Sequence, residues 1–266
     1  MNVNDFFRQK NTVEEVSWRV AAASVRGRGH EKVGQLCQDA HFWEKLPEGI
    51  LVAAVADGAG SANLGKVGAI VAAQTAVKTV RDRLAIPPLP NNDSEWRVLL
   101  NEALTVARTT VEAEAVACQL SARELATTLI LVVATPSLVV AAQVGDGVAV
   151  ASDQQGNLIS LTTPQFGEYI NETTFLVSPQ ALDTAQITLW QGKTAKIALL
   201  SDGLQMLALE LDQGKPYAPF FSPLFHFVAQ IQDETEAKDQ LVSFLRSPRI
   251  AERTDDDLTL LLATLS

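Results

Sequence analysis

The sequence predicts an α+β protein in which antiparallel sheets pack on each other as a sandwich and helix pairs lie outside them. Apolar, β-branched runs come in two blocks, each interrupted by a pair of helix-spaced segments. Connections within the blocks, such as "DQQGN" (153–157), are far shorter than the dozen or so residues a parallel crossover needs. Nor do strands and helices alternate regularly, as they would in a doubly wound sheet.

Residues 1–15 read as a loose arm, and 16–266 as one domain. "VSWRVAAASVRG" (16–27) alternates as a half-buried strand does, and "GRGHEKVGQ" (27–35) is a Gly- and charge-rich connection. "ILVAAVA" (50–56) is a buried strand closed by Asp57-Gly58, and small apolar residues at helical spacing fill 64–84. "AIPPLPNNDSE" (85–95) breaks the chain and offers Asp93 or Ser94 to cap a second long helix over 95–118. The uncharged stretch 125–144 is long enough to span a membrane, but Thr135-Pro136-Ser137 at its centre marks a turn between two short buried strands. Further strands are expected at "VAVAS" (148–152), "NLISLT" (157–162), "TTFLVS" (173–178), "KIALL" (196–200) and "LTLLLAT" (258–264), with helical segments over 204–211 and 223–245.

Composition narrows the partners. Of 266 residues, 31 are Asp or Glu and 21 Lys or Arg, a net charge of −10, which disfavours nucleic acid and anionic membranes. Cys37 and Cys118 make no disulfide framework and read as buried thiols of a reducing cytoplasm. The N-terminus lacks the basic-then-apolar order of a secretion signal, so a soluble cytoplasmic protein is expected.

"LVAAVADGAGSANLGKVGA" (51–69) admits two readings. Gly60, four residues, then Gly65-Lys66 has the spacing of a phosphate-cradling loop. Against it, Val67 has no hydroxyl for Mg²⁺, Asp57 would face the triphosphate, and no parallel sheet is in prospect. The other reading starts from the carboxylates. Asp57, Asp146 and Asp202 each end a strand, and Asp256-Asp257 immediately precede the last one. Three of these are followed by Gly, which eases sharp turns and close approach of the backbone. One Asp-Gly pair is an ordinary turn. Four acidic strand tips gathered on one rim repel, and make sense around cations. All-oxygen ligation selects Mg²⁺ or Mn²⁺, and neither the three His nor the two Cys offer a zinc-spaced cluster.

"CQDAHFW", "VADGAGS", "ATTLILVVA", "AAQVGDG", "IALLSDG" and "DDDLTLLLA" occur in this order between 37 and 263, within a likeness that extends over about 18–263. Together they resemble the metal-dependent serine/threonine protein phosphatases of type 2C, especially their compact bacterial branch. The resemblance implies a four-layer α-β-β-α sandwich and hydrolysis of phosphoserine and phosphothreonine in protein substrates. It implies two Mn²⁺ or Mg²⁺ ions on Asp39, Asp57, the Gly58 carbonyl, Asp202 and Asp256, with Asp57 bridging, and a weaker third ion on Asp146 and Asp202. Asp256 is chosen over Asp255 and Asp257 because the resemblance puts the ligand two residues before Leu258, ahead of the final strand. In such a site two cations about 3.5–4 Å apart activate a shared water for in-line attack on phosphorus.

The departures from the family pattern are specific. Ala59 stands where many members have a His assigned as general acid, and Gly34 where eukaryotic members place a phosphate-holding Arg. Arg26, Arg28 and His30 are the nearest basic candidates for the substrate phosphate, or else simply belong to a solvated connection. Gln38 stands where some members have Glu, behind the ligands, and "TPQFGEYINET" (163–173) lies where the family has a variable flap. Lys66, freed from any phosphate loop, is expected on the surface of a helix's first turn. Two alternatives stay open: a phosphatase-like binding module with little turnover, and a hydrolase of small phosphate esters.

Overall fold

The computed structural model describes residues 16–164, 173–210 and 213–266; the arm over 1–15 and most of the flap segment lie outside them. In chain order the first half comprises β1 (Trp18–Val25), α1 (Arg28–Val33), β2 (Ala40–Leu46), β3 (Ile50–Ala56), α2 (Gly65–Leu84), α3 (Asp93–Ala117), β4 (Leu129–Ala134) and β5 (Leu138–Val144). The second half comprises β6 (Val148–Asp153), β7 (Leu158–Ser160), β8 (Gln186–Gln191), β9 (Thr194–Leu200), α4 (Gln205–Ala208), α5 (Ala218–Ala229), α6 (Glu234–Leu245), α7 (Pro248–Ala251) and β10 (Leu258–Leu265). Two antiparallel five-stranded sheets result, ordered β1-β10-β9-β6-β7 and β2-β3-β4-β5-β8.

Period-two alternation builds the layers. On β3, Leu51, Ala53 and Val55 face the other sheet and meet Leu199, Leu261 and Ala149 there. The alternate residues Val52, Ala54 and Ala56 face outward, under α2 and α3. The apolar stripe of α2 is built from Ala69, Ala72, Ala73 and Ala76, whose small size lets the helix lie close on the sheet. The β1-β10-β9-β6-β7 sheet is covered likewise by Phe221, Leu224 and Phe225 of α5 and Leu241 and Leu245 of α6. The order of layers is helices, sheet, sheet, helices, as expected.

Several elements differ from the sequence expectation. Asn92, not Asp93 or Ser94, caps α3, its side chain accepting from the Glu95 N–H at 3.0 Å. The connection over 27–35 contains the short helix α1, and the helical stretch 223–245 divides into α5 and α6, with Asp233 capping the second. "TTFLVS" is no strand: the Ser178 N–H bonds to the Phe175 carbonyl and the Ser178 hydroxyl accepts from the Phe175 N–H, a turn closed just before Pro179. Local side-chain bonding there defeats the β propensity of Thr, Phe and Val. The neglected strand is β8, whose Ile187 and Leu189 alternate with Thr188 and Trp190. Neither cysteine is buried as expected: Cys37 is half-buried and Cys118 exposed, and both are free.

Candidate active site

Strand register brings the acidic tips to one rim. Ala40 pairs with Ala56, so Asp39, before β2, and Asp57, after β3, leave neighbouring strands at the same end. Val148 pairs with Leu200, and Leu260 with Leu200, which sets Asp146, Asp202 and Asp256 side by side at one end of the other sheet. Asp39 and Asp202 feel each other's charge across the sandwich, and Asp57 feels Asp39, Asp202 and Asp256, so both sheets contribute to one cluster.

Three of the aspartates, Asp39, Asp57 and Asp146, are held through side chain or backbone by neighbours to which the sequence assigned no role. Ser201 Oγ donates to Asp39 Oδ2 at 2.7 Å and accepts from the Thr259 N–H. Thr128 Oγ1 accepts from the Asp57 N–H at 3.0 Å, and Thr127 Oγ1 donates to the Asp57 carbonyl at 2.9 Å. Thr173 Oγ1 donates to Asp146 Oδ2 at 2.7 Å, while Gln205 bonds to the Asp146 carbonyl. The only cue to Ser201, Thr259, Thr127 and Thr128 was their place inside the quoted motifs; Thr173 ends the flap segment, and Gln205 lies outside every quoted stretch. The glycines after the aspartates serve close packing rather than positive φ. A Cβ on Gly58 would sit 2.3 Å from the Gly65 backbone, and one on Gly203 2.2 Å from the Asp257 carbonyl.

The three consecutive aspartates divide their tasks. Asp257 is buried and spent on the fold, Oδ1 accepting from the Gly27 N–H at 2.6 Å and Oδ2 from the Gln38 N–H at 2.5 Å. Asp255 points outward to Lys32, 3.3 Å away. Asp256 is open to solvent, yet its charge acts on Asp57, Asp202 and Asp146.

Electrostatically the rim is strained. Burial, first of all, pushes Asp39 up to about 7, and the charges of Asp257 and Asp202 add to it. Burial and the surrounding carboxylates raise Asp57 well above the usual range. Asp202 rises to about 6, chiefly by loss of water, against the opposing hydrogen bond from Asp57. Desolvation also raises Asp146, and it raises Asp256, whose carboxyl is partly desolvated although the residue is exposed. Among the described residues no three of these side chains already close around one ion-sized point. Two buried oxygens, Asp39 Oδ1 and Asp202 Oδ1, have no hydrogen-bond partner. Orphaned carboxylate oxygens among mutually repelling acids are the donor set a hard divalent cation fits.

The basic candidates are spread out. Arg26 donates to the Gln35 carbonyl and lies 3.7 Å from Glu31, and Arg28 is exposed and reaches the Ala251 carbonyl. His30 turns inward: Nδ1 lies 2.9 Å from Asp257 Oδ2, out of line for a hydrogen bond, and a Cβ on Gly60 would sit 3.6 Å from Nε2. Gln38 is buried behind Asp39, its carbonyl accepting from the Gly58 N–H. Lys66 corrects an expectation. It is half-buried rather than on the surface, and its ammonium donates to the Asp39 carbonyl, because the first turn of α2 faces the rim. That contact leaves the phosphate-loop spacing without its lysine. Ala59 is buried in a small apolar cluster with Ala62, Ala126 and Phe175.

Residues 26–246 match the family described as protein phosphatase 2C. The chain belongs to the protein phosphatase 2C family, a class of phosphoric monoester hydrolases. It is 35% identical, over 93% of its length and 98% of the relative's, to serine/threonine-protein phosphatase 3 of Escherichia coli K12. Its fold is similar to that of the serine/threonine phosphatase Stp1 from Staphylococcus aureus, with a TM-score of 0.62 and 14% identity over 93% of this chain and 94% of that one. It is also similar to the catalytic domain of the serine/threonine phosphatase PstP in complex with two manganese ions, with a TM-score of 0.59 and 17% identity over 94% and 98% of the two chains.

Proposed function

We propose that this chain hydrolyses phosphoserine and phosphothreonine esters in proteins, using two Mn²⁺ or Mg²⁺ ions held by Asp39, Asp57, the Gly58 carbonyl, Asp202 and Asp256. Asp146 adds a weaker third position with Asp202. The observation that carries this reading is the pair of orphaned buried oxygens, Asp39 Oδ1 and Asp202 Oδ1, within a single carboxylate rim. When bound, the cations supply an activated water and charge neutralisation for in-line displacement at phosphorus. Ser201 fixes the rotamer of Asp39, Thr127 and Thr128 fix the backbone of Asp57, and Lys66 offsets part of the negative charge behind Asp39. Of the three basic candidates, His30 is the one turned toward the rim, and it takes the phosphate contact; Arg26 and Arg28 support the loop around it. Ala59 brings no ionisable group, so the leaving oxygen takes its proton from water at the site.

Residues 16–266 act on this reading as one cytoplasmic domain. Pairing of β1 with β10 supports it, as does the lack, among the described residues, of a helix long and apolar enough to cross a membrane. The test is hydrolysis by the metal-stripped chain with Mn²⁺, Mg²⁺ or neither, comparing phosphoserine and phosphothreonine peptides with p-nitrophenyl phosphate. Metal-dependent turnover with higher kcat/KM on the peptides is expected. Preference for the small ester would make it a small-ester hydrolase, and peptide binding without turnover a binding module.

A further inference from the structure

Beside the carboxylate rim lies a cavity of about 860 Å³, lined by Ser61, Arg123, Ala126, Thr173, Phe175 and Val177 among others. Its walls are fastened to the acidic site at three points. Thr173 bonds to Asp146 Oδ2, the Ala126 carbonyl accepts from the Ala59 N–H at 2.9 Å, and Ala126 leads directly into Thr127 and Thr128, which hold Asp57. A phosphorylated side chain on the rim therefore leaves its own backbone at the mouth of this cavity. An extended peptide advances about 3.3–3.6 Å per residue, so the positions next to the phosphorylated residue are the ones carried toward this cavity.

Among the described residues lining the cavity, Arg123 is the one cation. Arg123 stands exposed on the turn Ala122–Leu125 and makes no ion pair among the described residues. Glu124 also lines the cavity, but it forms no ion pair with Arg123: its Oε2 is turned to Asn63 and accepts from both the backbone and the side-chain nitrogen, at 3.2 and 2.6 Å. The chain as a whole carries a net −10 and the rim is acidic, so within this cavity Arg123 is the group that an acidic flanking residue can meet favourably. A guanidinium fork matches a carboxylate in geometry as well as charge.

We propose that this cavity receives the residues flanking the phosphorylated side chain and that Arg123 selects an acidic residue among them. The proposal rests on the phosphatase reading and deepens it. The test is the ratio of kcat/KM for two phosphothreonine peptides that differ only in Asp or Ala beside the phosphothreonine, measured with Mn²⁺ for the natural chain, R123A and R123E. The natural chain should favour the acidic peptide by about tenfold, the value of one good charge-assisted contact. The ratio should fall to near one in R123A and below one in R123E, with the change in KM rather than kcat. A ratio of one in the natural chain, or one that survives R123E, overturns the proposal and leaves the phosphatase reading standing. If no chain turns over either peptide, the phosphatase reading fails. Anisotropy of the same labelled peptides then decides the role of Arg123: tighter acidic binding lost in R123E keeps it, and equal affinities end it.

Discussion

Ser201 Oγ donates to Asp39 Oδ2 across the sandwich, at 2.7 Å, joining the end of β9 in one sheet to the start of β2 in the other. The same hydroxyl accepts from the Thr259 N–H, so it is locked at both ends. This bond sets which oxygen of Asp39 remains free, and Oδ1 is the free one. Ser201→Ala should weaken Mn²⁺ binding by about 10–100-fold, the usual effect of removing a group behind a metal ligand. It should also lower stability by about 1–3 kcal/mol, because the Thr259 N–H is buried without a partner. Calorimetric Mn²⁺ titration and urea unfolding check the two parts separately.

Asp256 and Asp257 should respond to mutation in opposite ways. Asp257→Ala strips two backbone N–H groups, Gly27 and Gln38, of their acceptor, for a loss of about 1–3 kcal/mol each. Asp256→Asn leaves those bonds intact, so unfolding should shift little while metal-dependent turnover falls steeply. Urea melts and phosphate release on both variants check the division. Loss of turnover without loss of stability in Asp257→Ala would reverse the assignment.

Protonation of the rim gives a pH dependence of definite sign. Asp39 at about 7 and Asp202 at about 6 lie above the carboxylate value of about 3.9 in an unfolded chain. Between those limits the metal-free fold holds more protons than the unfolded chain, so these groups cost it stability as pH rises. His41 acts oppositely. Burial lowers it to about 4, so its contribution is lost as pH falls from about 6.5 toward 4. Mn²⁺ displaces the carboxyl protons but not the His41 equilibrium. The stabilisation gained on adding Mn²⁺, read as a rise in melting temperature, should therefore grow from pH 5 and level off above about pH 7, by about 1.4 kcal/mol per pH unit for each proton displaced. Thermal melts with and without Mn²⁺ across that range provide the measurement.

Cys37 should stay inert. Burial, then the charges of Asp39 and Asp257, push its thiol up to about 12, so almost no thiolate forms at neutral pH. Cys118 is exposed and should take a thiol-directed reagent first. Mass spectrometry after brief alkylation reads the order.

The layer order was legible in the sequence because β3 and β4 are apolar on both faces, and the spacing of α2 and α3 is helical. Asp57, Asp146 and Asp202 were legible because each follows an apolar run, and the pair Asp256-Asp257 because it precedes one; only the resemblance chose between those two. Asp39 was not: it precedes β2, whose residues are mostly half-buried and give no strong pattern, and only the resemblance singled it out. Ser201, Thr127 and Thr128 were given no role, and Lys66 was placed on the surface, because their contacts exist only after register folds distant segments together. Asp257 was hidden by its neighbours, since three adjacent aspartates look alike until their partners are known. The missed turn at Phe175–Ser178 shows one serine hydroxyl deciding what β propensity could not.

The central claim is that the carboxylate rim is a metal centre. Its most direct test is calorimetric titration of Mn²⁺ into the metal-stripped chain beside Asp57→Asn. Two ions per natural chain at the tighter sites, with affinity lost by more than about 100-fold in Asp57→Asn, is the predicted result, since a bridging ligand should matter more than groups behind it. Equal binding by the two proteins, or none by either, would contradict the account.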